Sequence, residues 1–271
     1  MRSVDGQRDP TMRLLRELQT DVGRAREGLF VAEGEELVRR AFDYGAKVVC
    51  LTLSDRLART AQGAALAAEA EAAGASVCTA SLGLIGKMLG TQPAPDRAAI
   101  VHRRLVSLNE TLAGDCPLII MVERCENADN LGMLLRSADA AGVDGVVLTG
   151  DTTDPFGRRA VRASRGAVFS VPICICPDSL AAVASARAAR PGLRVIATSA
   201  GARKRHTDVD LGGPAALVVG NEHVGVSDPV KNASDEVARI PMRGRVNSLN
   251  IAAAASVMIY EALRQRNARD R

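Results

Sequence analysis

The stretch Ile240-Pro-Met-Arg-Gly-Arg-Val-Asn-Ser-Leu-Asn250 runs directly into the apolar segment Ile251-Ala-Ala-Ala-Ala-Ser-Val-Met-Ile-Tyr260, and this junction decides the fold. Pro241 and Gly244 predict a loop, and Ser248 is a candidate N-cap for the alanine-rich helix that follows. The free N–H groups at the start of such a helix suit a carboxylate or a phosphate-like group. The four consecutive alanines leave one side of the helix thin, so another backbone can pack closely against it.

Length and composition favour a two-domain globular protein. The chain has 271 residues, of which 47% are hydrophobic and 24% charged. It contains no apolar run long enough to span a membrane and no signal peptide, so we expect a cytoplasmic protein without a membrane partner. Its six cysteines show no C-x-x-C spacing, and we therefore expect reduced thiols and no metal site.

The charge balance permits a nucleic-acid partner without requiring one. The formal net charge is +4, and aromatic residues make up 2% of the chain, with no Trp. A protein so poor in aromatic rings cannot rely on stacking single-stranded bases. If it binds RNA, arginines and backbone amides must make most of the contacts.

The N-terminal half alternates helices with strands, which predicts a small α/β domain over residues 1–104. We expect a loose terminus over the first dozen residues. The predicted helices cover residues 12–19, 35–42 and 56–73, and the predicted strands cover 29–31, 47–53, 75–78 and 98–102. The alternation of helices and strands then ends, and residues 105–116 are predicted to be a linker.

The C-terminal half, residues 117–271, predicts a parallel sheet with helices on both faces. Four apolar runs without alternation are typical of strands that are covered on both sides, at residues 117–122, 145–149, 194–198 and 215–219. Such sheets bind ligands at the carboxyl ends of their strands. No dinucleotide-binding G-x-G-x-x-G and no P-loop motif occurs, which argues against nucleotide cofactors of those kinds.

Polar residues follow two of these strands. Asn127, Asp129 and Asn130 are alternative caps for a helix that carries Arg136. Glu222 follows Gly220 directly after the fourth strand, where functional groups sit in this architecture. Taken alone, Asn130 is a capping residue, Arg136 a solvated helix arginine and Glu222 a solvated loop residue.

A basic helical face is predicted after Asp154-Pro155, a good helix start. Arg158, Arg162 and Arg165 fall at positions i, i+4 and i+7 of that helix. The face is either solvated or a surface that tracks RNA phosphates, because guanidinium groups bind phosphate with two hydrogen bonds.

Taken together, three motifs resemble those of the SpoU/TrmH branch of the SPOUT RNA 2′-O-ribose methyltransferases. The first, Asn-Pro-Gly-Asn-Ile-Gly-x-x-x-Arg, is matched at Asn127, Asn130, Gly132 and Arg136, with Ala128 and Asp129 replacing Pro-Gly. The second is matched at Gly220, Asn221, Glu222, Gly225 and Ser227, with Val226 in place of leucine. The third is matched at Ile240, Pro241, Met242, Gly244, Ser248, Leu249 and Asn250.

The resemblance covers residues 117–266 and implies a sheet tied into a deep trefoil knot. It also implies a homodimer and S-adenosylmethionine as methyl donor, held by Gly220, Ile240, Met242, Ser248 and Leu249. No metal is implied. The N-terminal half resembles, less specifically, the family's substrate-binding domain, a ribosomal-protein-like α/β fold.

The implied reaction is methyl transfer to a ribose 2′-hydroxyl, with Arg136, Asn130, Glu222 and Asn250 as catalytic residues. A guanidinium with a pKa above about 12 is a poor base, so we expect Arg136 to hold a phosphate and stabilise the developing alkoxide. Asn130 and Glu222 would orient the ribose or Arg136, and Asn250 would fix the loop. Glu222 is the alternative proton acceptor.

The substrate prediction is ribosomal RNA in preference to transfer RNA, because of the two-domain layout. DNA is not expected as a partner. One alternative is a non-catalytic RNA-binding or ribosome-assembly protein, but such a protein would not require Arg136, Glu222 and Asn250 together. Another alternative, a small-molecule methyltransferase, would leave the N-terminal domain without a role.

Overall fold

A computed structural model describes residues 1–269 of the chain, which cluster into two compact units. The first unit consists of residues 1–103 together with 154–169, and the second consists of the remaining described residues. The segment 154–169 clusters with the first unit although it lies inside the predicted C-terminal domain. Its aromatic rings explain this, because Phe156 and Phe169 pack on Phe30 with centroid distances of 5.1 Å and 5.8 Å.

Helices and strands alternate along most of the chain. In chain order the elements are β1 Arg2–Val4, α1 Pro10–Glu17, α2 Asp21–Glu27, β2 Leu29–Glu33, α3 Glu35–Asp43, β3 Val48–Ser54, α4 Asp55–Ala58, α5 Ala61–Ala72, β4 Ser76–Ala80, α6 Leu82–Leu89, β5 Arg97–His102, α7 Leu108–Thr111, β6 Leu118–Glu123, α8 Ala128–Ala140, β7 Gly145–Thr149, α9 Arg158–Ser164, β8 Ile173–Cys176, α10 Ser179–Ala189, β9 Arg194–Thr198, β10 Lys204–Arg205, β11 Ala215–Gly220, α11 Asp228–Ala233, β12 Glu236–Arg239 and α12 Ile251–Arg269.

The first unit is built on a five-stranded mixed sheet in the order β1-β4-β3-β5-β2. Strand β5 pairs antiparallel with both β2 and β3, while β3 and β1 pair parallel with β4. Helices α1 and α6 pack together on the sheet through a shared core that includes Met12, Leu15, Ile85 and Ile100. Helices α4 and α5 also contact β3 and β4 but contribute no residue to this core, so they cover the opposite face.

Two predictions for this unit were wrong, and two of its helices were not predicted. The first dozen residues are not loose, since β1 pairs with β4 and α1 begins at Pro10. The predicted helix 56–73 is two helices, because Thr60 leaves the helical conformation and its hydroxyl caps α5 through the N–H of Gly63. Helices α2 and α6 were not predicted. The predicted strands and the helix at 35–42 are confirmed within a few residues.

The second unit is built on a seven-stranded parallel sheet in the order β10-β12-β9-β11-β6-β7-β8. All four predicted strands are confirmed, and they form its centre as β9, β11, β6 and β7. The burial of β6 and β7 along their whole length matches their unbroken apolar sequences. The trefoil knot stays a prediction, because strand order alone does not give the threading of the chain.

Helix starts differ from the predictions at two places. Helix α9 begins at Arg158 and not at Pro155, because Asp154 caps a turn through the N–H of Phe156. Helix α12 is capped by Asn250 and not by Ser248, since the Asn250 oxygen accepts the N–H of Ala252 at 2.9 Å.

The predicted linker 105–116 contains the short helix α7, whose N-terminus carries a capping box between Ser107 and Glu110. Across residues 1–269, no helix is both long and apolar enough to cross a membrane.

Candidate active site

The site is built where the neighbouring strands β6 and β11 end. Gly220, the last residue of β11, stands opposite Glu123, the last residue of β6. The buried Glu123 carboxylate accepts hydrogen bonds from the N–H and the hydroxyl of Ser227, each at 2.8 Å. The loop after β11 is thereby anchored to the neighbouring strand, so Glu222 is presented from a fixed segment.

Asn221 joins the loops that follow β6 and β11. Its side chain is 5% exposed, and its amide group donates to the Arg124 carbonyl at 3.0 Å and to the Glu126 carboxylate at 2.9 Å. Its oxygen accepts the N–H groups of His223 and Val224 at 2.8 Å and 3.2 Å. Asn221 belongs to the second motif but had no predicted role. Its burial and its four hydrogen bonds show that it holds the two loops in place.

A chain of side-chain hydrogen bonds links one residue from each motif. The Asn250 amide donates to the Asn130 oxygen at 2.8 Å, and the Asn130 amide donates to the Glu222 carboxylate at 2.7 Å. Helix α8, which carries Asn130, is capped by Asn127, one of the three candidate caps. The structure therefore brings three of the four predicted catalytic residues together.

A cavity of about 370 Å³ opens beside this chain of hydrogen bonds. Glu222 contributes to its wall. All the residues predicted to hold the methyl donor also line it: Gly220, Ile240, Met242, Ser248 and Leu249. The loops of the second and third motifs thus surround one space, whose volume is in the range of small-molecule sites.

Residues 198–201 line the same cavity, and they had no predicted role. Thr198 ends β9 and residues 199–201 follow it; because β9 pairs in parallel with β11, their loop emerges at the same sheet edge. The sequence carried a signal for them, because the small residues Thr198-Ser-Ala-Gly201 directly follow an apolar run.

Arg136 stands outside the hydrogen-bond chain. It is exposed on α8, six residues after Asn130, which places it about 240° around the helix from that residue. Met133, one turn earlier on the same side, is 53% exposed. The Arg136 side chain forms no hydrogen bond or ion pair with any other residue of the described stretch 1–269.

The predicted basic face lies in the first unit and is partly neutralised there. Arg158 donates to Glu33 at 2.9 Å, and Arg165 pairs with Glu36 at 2.7 Å. Burial raises the pKa of Glu33, and the charge of Arg158 opposes that rise. Arg165 lies beyond the end of α9 with φ 52°, so the three arginines do not share one helix. Contact of Arg162 and its neighbours with phosphate stays a prediction.

Cys125 lies close to the site and is held as a neutral thiol. Burial, followed by the nearby charge of Glu222, raises its pKa to about 12. Among residues 1–269, no group of three or more His, Cys, Asp or Glu side chains is arranged to hold a metal ion.

Two family models match the chain. The model described as the SpoU rRNA Methylase family matches residues 117–260, more than half of the chain. The chain belongs to the SpoU rRNA methylase family. A second model, described as the MRM3-like substrate binding domain, matches residues 9–92 of this SpoU family member.

Solved structures with the same architecture include an AdoMet-bound rRNA methyltransferase from Sinorhizobium meliloti. It is 31% identical, with a TM-score of 0.86, and the match covers 97% of both chains. The SpoU methyltransferase AviRb from Streptomyces viridochromogenes, in complex with AdoMet, is 27% identical with a TM-score of 0.84 and coverage of 96% and 99%. These matches confirm the predicted SpoU fold with its N-terminal substrate-binding domain.

Among curated relatives, the 23S rRNA (uridine(2479)-2′-O)-methyltransferase of Streptomyces viridochromogenes is 32% identical over 175 residues. That match covers 64% of this SpoU chain and 61% of the relative. The aligned part is therefore less than two thirds of the relative's length.

Proposed function

We propose that this SpoU family member transfers a methyl group from S-adenosylmethionine to a ribose 2′-hydroxyl of ribosomal RNA. The hydrogen-bond chain from Asn250 through Asn130 to Glu222, at the wall of the 370 Å³ cavity, carries the proposal. Ribosomal RNA is favoured over transfer RNA because the structures that match 97% of this chain include those of an rRNA methyltransferase from Sinorhizobium meliloti. DNA lacks the 2′-hydroxyl and is not a substrate of this reaction.

The cavity fits the methyl donor by its volume and by the groups that line it. Its wall combines apolar side chains such as Ile240 and Leu249 with backbone groups of the loop from Gly220 to Gly225. S-adenosylmethionine supplies an activated methyl group on a sulfonium when it is bound. Ile240, Leu249 and Met242 would hold its apolar parts, while Glu222 and Ser248 offer polar contacts.

The protein's own contribution to the reaction is positioning and charge. Asn130 is fixed from both sides, because its oxygen accepts from Asn250 and its amide donates to Glu222. An orienting group held in this way contributes through proximity. Arg136 would hold the phosphate beside the target ribose and stabilise the negative charge that develops on its oxygen.

The two roles left open for Glu222 can be separated by Glu222→Gln. The glutamine oxygen still accepts the hydrogen bond from Asn130, but the side chain no longer takes a proton. If Glu222 orients, the variant retains at least about a third of the wild-type kcat; if it accepts the proton, kcat falls about 10²-fold or more. Glu222→Ala abolishes both roles, and Glu27→Gln, an exposed glutamate of the first unit, is the matched control.

We further propose that the chain acts as a homodimer through α8 and α12. These helices lie side by side, joined by a 2.8 Å hydrogen bond between Ser137 and Ser256. They expose Met133 and Tyr260, which are 53% and 52% accessible. Because Arg136 lies on the same side of α8 as Met133, pairing at this face would bring it toward a partner subunit.

Complementation tests this arrangement. Arg136→Ala and Gly220→Ala are each expected to be inactive, the second because its cofactor cavity is distorted. A mixed population assembled from both variants should regain about a quarter of the wild-type activity if each site combines a cavity with the other subunit's arginine. No recovered activity, or a monomeric mass by sedimentation, would contradict the proposal.

The function itself is tested by methyl transfer to ribosomal RNA from cells that lack this chain. Tritium from labelled donor should enter RNA at one or a few riboses, and mapping of the 2′-O-methyl positions gives the target. RNA binding without transfer would favour the ribosome-assembly alternative, and label in a small metabolite would favour the small-molecule enzyme.

We place this activity in the cytoplasm, since ribosomes work there and all six cysteines are free.

A further inference from the structure

The first unit carries a concave basic surface that the proposed function has not used. It is lined by Gly6, Gln7, Arg8, Arg13 and Arg16, and its concavity measures about 750 Å³. All three arginines are exposed. We refer to these five residues as the Arg8 surface.

The amphipathic helix α1 accounts for the shape of the Arg8 surface. Met12 and Leu15 are fully buried in the core of the first unit, so the opposite side of α1 faces outward. Arg13 and Arg16 lie on that outer side three residues apart, which makes them neighbours on the helix. Arg8 approaches from the turn before the helix.

The charges of the Arg8 surface are uncompensated. None of its three arginines forms an ion pair with any residue in the described part of the chain. The acidic residues on either side of them in sequence already have partners, because Asp9 pairs with Arg2 and Glu17 pairs with Arg26 at 2.8 Å. The surface therefore offers three free guanidinium groups to a ligand.

The basic face on α9 differs in this respect. Arg158 and Arg165 each have a carboxylate partner, Glu33 and Glu36. An RNA phosphate at that face would have to displace an existing ion pair, whereas at the Arg8 surface it would meet only solvated arginines.

We propose that the Arg8 surface binds backbone phosphates of the RNA substrate. This inference rests on the proposed function, which supplies a phosphate polymer as ligand. Guanidinium groups bind phosphate through two parallel hydrogen bonds, and three of them around one concavity can follow successive phosphates. A membrane is the less suitable partner, because the apolar side of α1 is buried and the lining residues Gly6 and Gln7 offer nothing to insert into lipid.

The experiment compares two matched pairs of arginines in the full-length protein. Arg13→Gln with Arg16→Gln removes two charges from the Arg8 surface. Arg56→Gln with Arg59→Gln is the control, because these residues are also exposed, three positions apart and without an ion pair within residues 1–269, on the opposite face of the sheet. Binding to protein-free ribosomal RNA is measured between 50 and 300 mM salt, together with KM and kcat for methyl transfer.

The Arg13/Arg16 double variant should bind RNA about tenfold more weakly at 100 mM salt, and its salt slope should fall by about one to two units. KM for RNA should rise while kcat at saturating RNA is retained, because the catalytic loops lie in the second unit. Arg13→Lys with Arg16→Lys should restore most of the salt slope, since the charge is kept. The Arg56/Arg59 control should behave like wild type.

Unchanged KM and salt slope in the Arg13/Arg16 variant, with an active wild type, would overturn the proposal for this surface alone. Loss of binding to phosphatidylglycerol vesicles with unchanged RNA binding would also overturn it and assign the surface to a membrane. A wild-type protein that methylates no ribosomal RNA would instead count against the proposed function. Thermal unfolding of each variant shows whether a lost activity reflects misfolding.

Discussion

Gly220→Ala should disable the cofactor cavity while leaving the protein folded. A Cβ at residue 220 would lie 2.2 Å from the carbonyl carbon of Gly225 and 2.2 Å from the backbone nitrogen of Val226. Ordinary contact begins at 3.4 Å, so the loop must move by about 1.2 Å, and both obstructing atoms are backbone. That loop carries Glu222 and lines the cavity.

A displacement of this size has a predictable cost. Overpacking typically costs about 1–3 kcal/mol of folding stability, which lowers Tm by several degrees in a chain of this size. A misplacement of about 1 Å in an active site can reduce turnover about 10²-fold. We expect the affinity for S-adenosylmethionine to fall at least about tenfold and methyl transfer to fall about 10²-fold.

The assay is calorimetric titration with S-adenosylmethionine, followed by methyl transfer to ribosomal RNA. Gly213→Ala is the matched control, because a Cβ there meets nothing within 4 Å and residue 213 has no positive φ. Folding is checked by thermal unfolding. A Gly220→Ala protein that binds the donor within twofold of wild type would refute the assignment of this cavity to the cofactor.

Two further predictions concern single charges. Arg136→Lys should bind the donor normally but transfer methyl groups about 10²-fold more slowly, because it keeps the charge and loses the two-pronged hydrogen bond; unchanged kcat would refute the phosphate-holding role. Asp9→Asn should keep the cap of α1 but lose the ion pair with Arg2, which lowers the pKa of Asp9. A lowered pKa adds stability above the unfolded-state value of about 3.9, and that stability is lost as pH falls through the folded-state value. The urea concentration at the unfolding midpoint should therefore be lower for Asp9→Asn than for wild type at pH 7, and the two midpoints should converge below about pH 4. A constant difference across that range would contradict the prediction.

The central strands of the second unit were predictable because the pattern that specifies them lies within each strand's own sequence. Strands β6, β7, β9 and β11 are unbroken apolar runs, and a buried parallel strand requires that pattern. The outer strands β8, β10 and β12 were missed, of which β8 and β10 are the two edges of the sheet. They have two to four residues each and are partly exposed, so even the apolar run of β8 is too short to distinguish a strand from a loop.

The residues of the site could be predicted from the motifs, but the residues that hold the site's loops in place could not. Nothing local shows that Asn221 would be buried between the Arg124 carbonyl and Glu126, since those partners lie more than ninety positions away. The cap of α12 was misassigned for a similar reason. Ser248 and Asn250 are both good capping residues, and only the path of the loop decides between them.

The basic face on α9 also shows that a sequence does not reveal contacts between distant residues. The spacing of Arg158 and Arg162 is visible in the sequence, but the carboxylate that neutralises Arg158 is Glu33, 125 positions earlier. A run of arginines indicates available charge only when no acid from elsewhere in the fold reaches it. The free arginines of α1 were not singled out, because a sequence does not distinguish paired from unpaired guanidinium groups.

The inclusion of residues 154–169 in the first unit has a consequence for biosynthesis and for protein engineering. Phe156 and Phe169 complete the ring cluster around Phe30, and the Asp154 carboxylate binds Arg24 at 2.7 Å. During translation, the first unit cannot finish its core until residue 169 has left the ribosomal tunnel, when strands β6 and β7 of the second unit have already emerged. A chimera that exchanges only residues 1–103 with a relative would separate these partners, so a functional swap must carry both stretches.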